Sequence, residues 1–143
     1  MIRTKMILFT ALLVTLPAIP AASADNRVAV ELPQMMREHM LANMRDHLAA
    51  INEILAYLGS GKLDRAAETA EYRLGMSSLE SHGASHMAKF MPQAMREAGT
   101  AMHQAASRFA RTAQEGDALT AYRALTDVTA ACVACHSGFR VKP

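Results

Sequence analysis

Cysteine occurs only twice in the 143 residues, tryptophan is absent, and aromatic residues make up 5% of the chain. The two cysteines are three positions apart, and a bridge closing so short a loop restrains little of the unfolded chain, so a disulfide framework is not the reading of choice. With no basic patch interleaved with aromatics, a nucleic-acid surface is excluded. No segment shows a strand pattern, and there is neither a solenoid-type repeat nor a low-complexity tract. Paired carboxylates, a nucleophile–base arrangement and a phosphate-binding loop are also missing, which argues against an enzyme.

Long apolar runs are scarce too. The longest, Met6 to Leu16, is broken only by Thr10 and Thr15, and falls short of the roughly 20 residues of a membrane span. Arg3 and Lys5 precede it, Pro17 and Pro20 follow, and Ala22-Ser23-Ala24 has the small-x-small form of a cleavage site. Residues 1–24 therefore read as a cleaved export signal, with residues 25–143 as one mature domain. Losing Arg3 and Lys5 from 15 basic residues brings the mature chain into balance with its 13 acidic ones. No membrane span is expected after the signal is removed.

What the mature sequence does contain is helical periodicity. The first helix is predicted from about Leu32 to Leu58, with a stripe of Leu32, Met36, Met40, Met44, Leu48, Ile51, Leu55 and Leu58 at steps of three or four. Gly59-Ser60-Gly61 ends it. A second helix covers about Lys62 to Leu74, with Leu63, Ala66, Ala67, Ala70 and Leu74 inward, and a less regular stretch follows between Gly75 and Gly83. Pro92 suits the first turn of a third helix, whose stripe is Met95, Ala98, Met102, Ala105, Ala106, Phe109 and Ala113. Gly116 is a natural stop and Asp117 a natural N-cap for the fourth, which carries Leu119, Tyr122, Leu125, Val128, Cys132 and Cys135 and ends near Phe139. Four amphipathic helices with short connections predict an all-α fold, an antiparallel four-helix bundle.

The cysteines fall in Cys132-Val133-Ala134-Cys135-His136. On a helix, positions i, i+3 and i+4 project from one face. Two thiols one turn apart can each add to a vinyl group of one porphyrin, and the adjoining imidazole can ligate its iron: C-x-x-C-H is the attachment signature of c-type haem. A redox-active C-x-x-C normally follows a strand in a βαβ unit, and no such strand is predicted. A zinc site would need a fourth ligand at matching spacing, and none follows. One covalent haem c is the cofactor this motif predicts, with Cys132 and Cys135 as attachment points and His136 as proximal iron ligand.

From Glu115-Gly116-Asp117 to Ser137-Gly138-Phe139-Arg140 the chain resembles the cytochrome c-prime family, whose members read C-x-x-C-H-x-x-aromatic-Arg; Phe139 and Arg140 complete that pattern. Arg37, Leu41, Met44 and Leu48 follow a spacing typical of that family's haem-covering helix. The resemblance is specific mainly over residues 115–143, and the stretch from Gly75 to Met91 departs from it. It implies a periplasmic four-helix protein with haem on its last helix, Arg37 and Arg140 as partners of the propionates, and Leu41 over the distal face. In one branch of the family a methionine ligates the iron instead, which makes Met44, and after it Met40, the distal candidates. The family also often forms a homodimer.

Three functions follow as expectations. A thioether ligand suits an electron carrier exchanging with a redox partner protein. Leu41 over an open iron suits a gas-binding protein for nitric oxide or carbon monoxide. His82, His86, Met87, Met91, Met95 and His103, near Met76, offer the imidazole and thioether mixture of a soft-metal site, most naturally copper. His39 and His47 are expected at the surface or the haem edge. Electron transfer by a monohaem c-type cytochrome is the leading expectation.

Overall fold

The computed structural model describes residues 25–143; residues 1–24, where the export signal is expected, lie outside the described residues. The fold is mostly helical. Helix α1 (Gln34–Gly59) starts after Pro33, whose ψ of 145° lies outside the helical region. It ends where Gly61 takes a φ of +70°, a conformation that costs glycine little. Helix α2 (Leu63–Arg73) turns back along α1, and Arg73 at its end pairs with Asp46 and Glu53 of α1. A single 3-10 turn (Met76–Ser78) and the short α3 (Ala84–Ala88) lead to α4 (Gln93–Gln114), which begins after Pro92. The side chain of Asp117 accepts from the Thr120 amide at 2.7 Å, capping α5 (Ala118–Gly138) as its sequence position predicts.

Strand pairing is where the structure departs from the sequence reading. Strand β1 (Val28–Val30) pairs in parallel with β2 (Phe139–Val141), Val28 opposite Phe139 and Val30 opposite Val141. Three residues are too few for a period-two pattern to register. Among the described residues all the helices lie between the two strands in sequence, so the pairing fixes the start of α1 beside the end of α5.

The buried face of α1 also differs from prediction. The residues turned inward are Met40, Asn43, His47, Ala50, Ile54 and Leu58, whereas Leu48 is 73% exposed and Leu55 43%. Helix geometry accounts for the shift. At about 100° per residue, each four-residue step advances about 40° around the axis, so a run of such steps from Met40 to Leu48 walks off the inner face. Alternating steps of three and four stay on it. Leu41, Leu48 and Leu55, seven apart, instead form an outer apolar stripe. On α5, Leu119 and Tyr122 likewise face outward, and Ala121, Leu125 and Val128 face the core.

That core has two halves. One is alanine-rich: Ala66, Ala67 and Ala70 of α2 meet Ala105, Ala106, Phe109 and Ala113 of α4, with Ile54, Leu58 and Val128 between. Small side chains let the helix backbones approach closely there. The other half is built from Val30, Leu32, Met40, Met87 and Met95, with Met36, Met44, Phe90, Met91, Cys135 and Phe139 against them. Phe109 is fully buried in the first half, so Phe109→Ala is expected to lower stability by about 3–5 kcal/mol. Leu48→Ala, on the outer stripe, is expected to change it by less than about 0.5 kcal/mol. Denaturant unfolding checks both; a large loss at Leu48 would restore the predicted stripe.

Candidate functional site

The methionine-rich half of the core lines a half-open cavity of about 570 Å³, within the range of roughly 300–1,000 Å³ typical of small-molecule and cofactor sites. Five parts of the chain form its wall, Arg27 before β1 being one. Helix α1 contributes Met40, Leu41, Asn43, Met44 and His47; the segment around α3 contributes His82, Met87 and Met91. Helix α4 supplies Met95, Arg96, Met102 and His103, and the end of α5 supplies Cys135, His136 and, just beyond, Phe139 and Arg140. The β1–β2 pairing is what brings the last group opposite the first.

Cys132 and Cys135 are free thiols, each half-buried. They sit on the two halves of the core, Cys132 against the alanine-rich cluster and Cys135 against the methionine cluster. Burial raises the pKa of both, and for Cys135 the neighbouring Cys132 adds to the effect. His136 lines the cavity at an exposed position, and its carbonyl accepts from Arg27 Nη1 at 3.3 Å.

The distal candidates are all present at the wall. Met40 is buried, Met44 half-buried, and Leu41 lies at the rim with 43% of its surface exposed. Arg140 lines the cavity as well. Its Nε stands 3.3 Å from Asp25 Oδ2 without hydrogen-bond geometry, leaving a buried donor unpartnered. Arg37 is half-buried and is not among the cavity-lining residues. Arg27 and Arg96 are, and sequence reasoning missed both. Arg27 also holds Asp25 by side-chain hydrogen bonds, which lower that carboxyl to about 2.

The predicted histidine cluster reassembles differently. His82 and His86 do not share a face, because Gly83 at φ +62° separates them; His82 is buried and His86 exposed. His47, expected at the surface or the haem edge, is buried beside His82, their ring centres 4.8 Å apart. His103 joins them at 5.5 Å from His82 and 6.0 Å from His47. The signal was available in the sequence: Met40, Asn43 and His47 follow the three-then-four spacing that keeps the inner face of α1.

Neighbouring groups hold this trio. Asn43 Nδ2 donates to the His82 carbonyl at 3.1 Å. His103 Nδ1 is 2.7 Å from the Leu74 carbonyl and must donate to it, since a carbonyl only accepts. Leu74 is placed by Gly75, where a Cβ would lie 2.7 Å from the Glu71 carbonyl and 2.8 Å from Ser107 Oγ. Only glycine lets the chain pass that close to α4. His47 Nε2 is buried with no hydrogen-bond partner.

The trio is held neutral. Burial, then the like charge of His82 and His103, lowers His47 to about 4, with Asp46 opposing. Burial is also the largest cause lowering His82 and His103. Comparison with family models, with curated proteins and with solved structures finds no match to the chain.

A histidine whose pKa falls on folding takes up its proton more readily in the unfolded chain, so its contribution to stability is complete above about 6.5 and is lost as pH falls. For His47 that window runs from about 6.5 down to about 4. Stability measured by denaturant unfolding is expected to drop across it, and His47→Gln to flatten the drop. Parallel pH profiles for the two proteins would contradict the burial of a neutral His47.

Proposed function

We propose that the chain is an exported, monohaem c-type cytochrome of the c-prime type, a four-helix antiparallel bundle of α1, α2, α4 and α5 that carries electrons. One observation carries this reading: Cys135 and His136 of the attachment motif line a large, mostly apolar cavity faced by the thioethers of α1, with Cys132 one turn back against the alanine-rich cluster. The residues fit the group. Cys132 and Cys135 would hold haem by thioether bonds and His136 would ligate its iron, while Arg140, Arg27 and Arg96 line the cavity as cations for two carboxylates, Arg140 and Arg27 sharing Asp25 between them. Bound haem supplies one-electron exchange between ferric and ferrous iron.

The chain's own part is to hold, enclose and tune. Methionine fills an irregular space well because it is unbranched and flexible, and the cavity wall carries Met40, Met44, Met87, Met91, Met95 and Met102. Such a wall excludes water and lowers the local dielectric, which with the distal ligand sets the potential. Met44 is the preferred sulfur donor and Met40 the second. A gas-binding function remains the competing reading, favoured by the presence of Leu41 at the same wall. The proposed location is the periplasm, with a soluble redox protein as partner; a homodimer is compatible with the outer leucine stripe of α1.

Absorption spectra of protein produced with haem-attachment machinery test the assignment. A ferrous low-spin spectrum indifferent to carbon monoxide is expected, with Met44→Leu making it responsive to the gas. A wild-type spectrum that is high-spin and shifts on adding carbon monoxide would make gas binding the function. Replacing both cysteines (Cys132→Ala with Cys135→Ala) is expected to leave no haem on the denatured chain.

A further inference from the structure

Three histidines meet inside this protein with no acidic side chain among the cavity-lining residues. We propose that His47, His82 and His103 form a binding site for one monovalent copper ion, at the end of the cavity nearest the alanine-rich core. Neither the attachment motif nor the distal methionines are part of it, and the inference holds whether or not haem is attached at Cys132 and Cys135.

The ring spacing is the first support. Imidazoles sharing one ion hold a nitrogen about 2.0–2.1 Å from it, which sets their ring centres roughly 5–5.5 Å apart. The three separations here, 4.8, 5.5 and 6.0 Å, straddle that spacing, with His47–His103 the widest.

Tautomers are the second. Ser78 Oγ donates to the Gly75 carbonyl at 2.7 Å, so its proton is committed. Toward His82 Nδ1, at 3.3 Å, the same oxygen can then only accept. His82 therefore carries its proton on Nδ1, as His103 does through the Leu74 carbonyl. Both Nε2 atoms are left as bare lone pairs. A metal-binding histidine is typically tethered this way, through its other ring nitrogen to an oxygen.

His47 is the third. Its Nε2 is buried without a partner, an arrangement that is costly unless something fills it. As the rings stand, no three His, Cys, Asp or Glu side chains among the described residues are placed to hold a metal ion. The site therefore closes by a turn of the rings, and His47, with no hydrogen bond at Nε2, is the one able to swing toward the two tethered partners.

The ion follows from the charges. Burying a dication among neutral ligands, without a carboxylate, is expensive. The charged side chains on the cavity wall are Arg27, Arg96 and Arg140, all basic; the Asp46 carboxylate, whose charge reaches His47 and His82, is paired with Arg73. A monovalent soft ion suits this better, and imidazole with nearby thioether is a donor set that copper(I) accepts. Met102, next to His103, borders the same cavity. Along α1 the rise from His47 is about 4.5 Å to Met44 and about 10 Å to Met40, so the trio lies one to two turns beyond the distal methionines.

Titration of the exported holoprotein with copper(I) against a chromogenic chelator tests the site. One equivalent is expected to bind. His47→Gln, His82→Gln and His103→Gln should each weaken it on the order of a hundredfold, and Ser78→Ala about tenfold, the usual loss when a ligand's tether is removed. His86→Gln and His39→Gln should leave it unchanged. Binding that survives the trio variants, or that is lost with His86→Gln, overturns the proposal, and tighter binding of zinc(II) overturns the monovalent assignment. Should a variant fail to fold, copper-edge X-ray absorption of the wild type decides: imidazole nitrogens in the first shell are expected, and a shell of sulfur alone contradicts the site. A haem spectrum that loses its sixth ligand in His47→Gln would make His47 an iron ligand and also overturn it.

Discussion

The parallel pairing of Val28–Val30 with Phe139–Val141 is the constraint on which the cavity depends. It is short, yet it joins the two ends of the described chain, and side chains reinforce it. Lys142 donates its amide to the Val30 carbonyl at 2.9 Å, and its ammonium pairs with Glu31. Asp25 lies between Arg27 and Arg140. The result is that α1 starts beside the residues that follow Cys135-His136. Without that tie, Met40, Leu41 and Met44 would have no fixed relation to the attachment motif.

A second consequence concerns how the core is divided. Alanine in α2 and α4 brings those helices together in one half of the core. Methionine at the other end keeps the helices apart and lines the space with side chains that adapt to its shape. His47, His82 and His103 stand where the halves meet, buried and neutral. A dense half gives stability and an open half gives a site, and the same α1 and α4 run through both.

Much of this was legible in the sequence, and the exceptions have physical reasons. Most helix limits were readable because Pro92, Gly61, Gly116 and Asp117 act locally, through backbone angles and a cap, whereas α1 starts after Pro33 rather than at Leu32. The inner face of α1 was misjudged because methionine and leucine at four-residue steps drift around the helix, and the polar Asn43 and His47 were not counted as inward. The β-ribbon was missed because its partners lie more than a hundred residues apart and are three residues long. Arg27 and Arg96 could not be placed at the cavity before that ribbon fixed the ends. The motif at Cys132, Cys135 and His136 needed no fold to be noticed; its neighbours did.

The claim that joins motif, cavity and function is that both thiols are bonded to one haem. Mass spectrometry of the denatured protein, made with haem-attachment machinery, tests that claim most directly. The account predicts a single species heavier than the polypeptide by one haem, with neither Cys132 nor Cys135 available to a thiol reagent. A polypeptide of unmodified mass with two reactive thiols, under conditions in which a control c-type cytochrome is loaded, would contradict it.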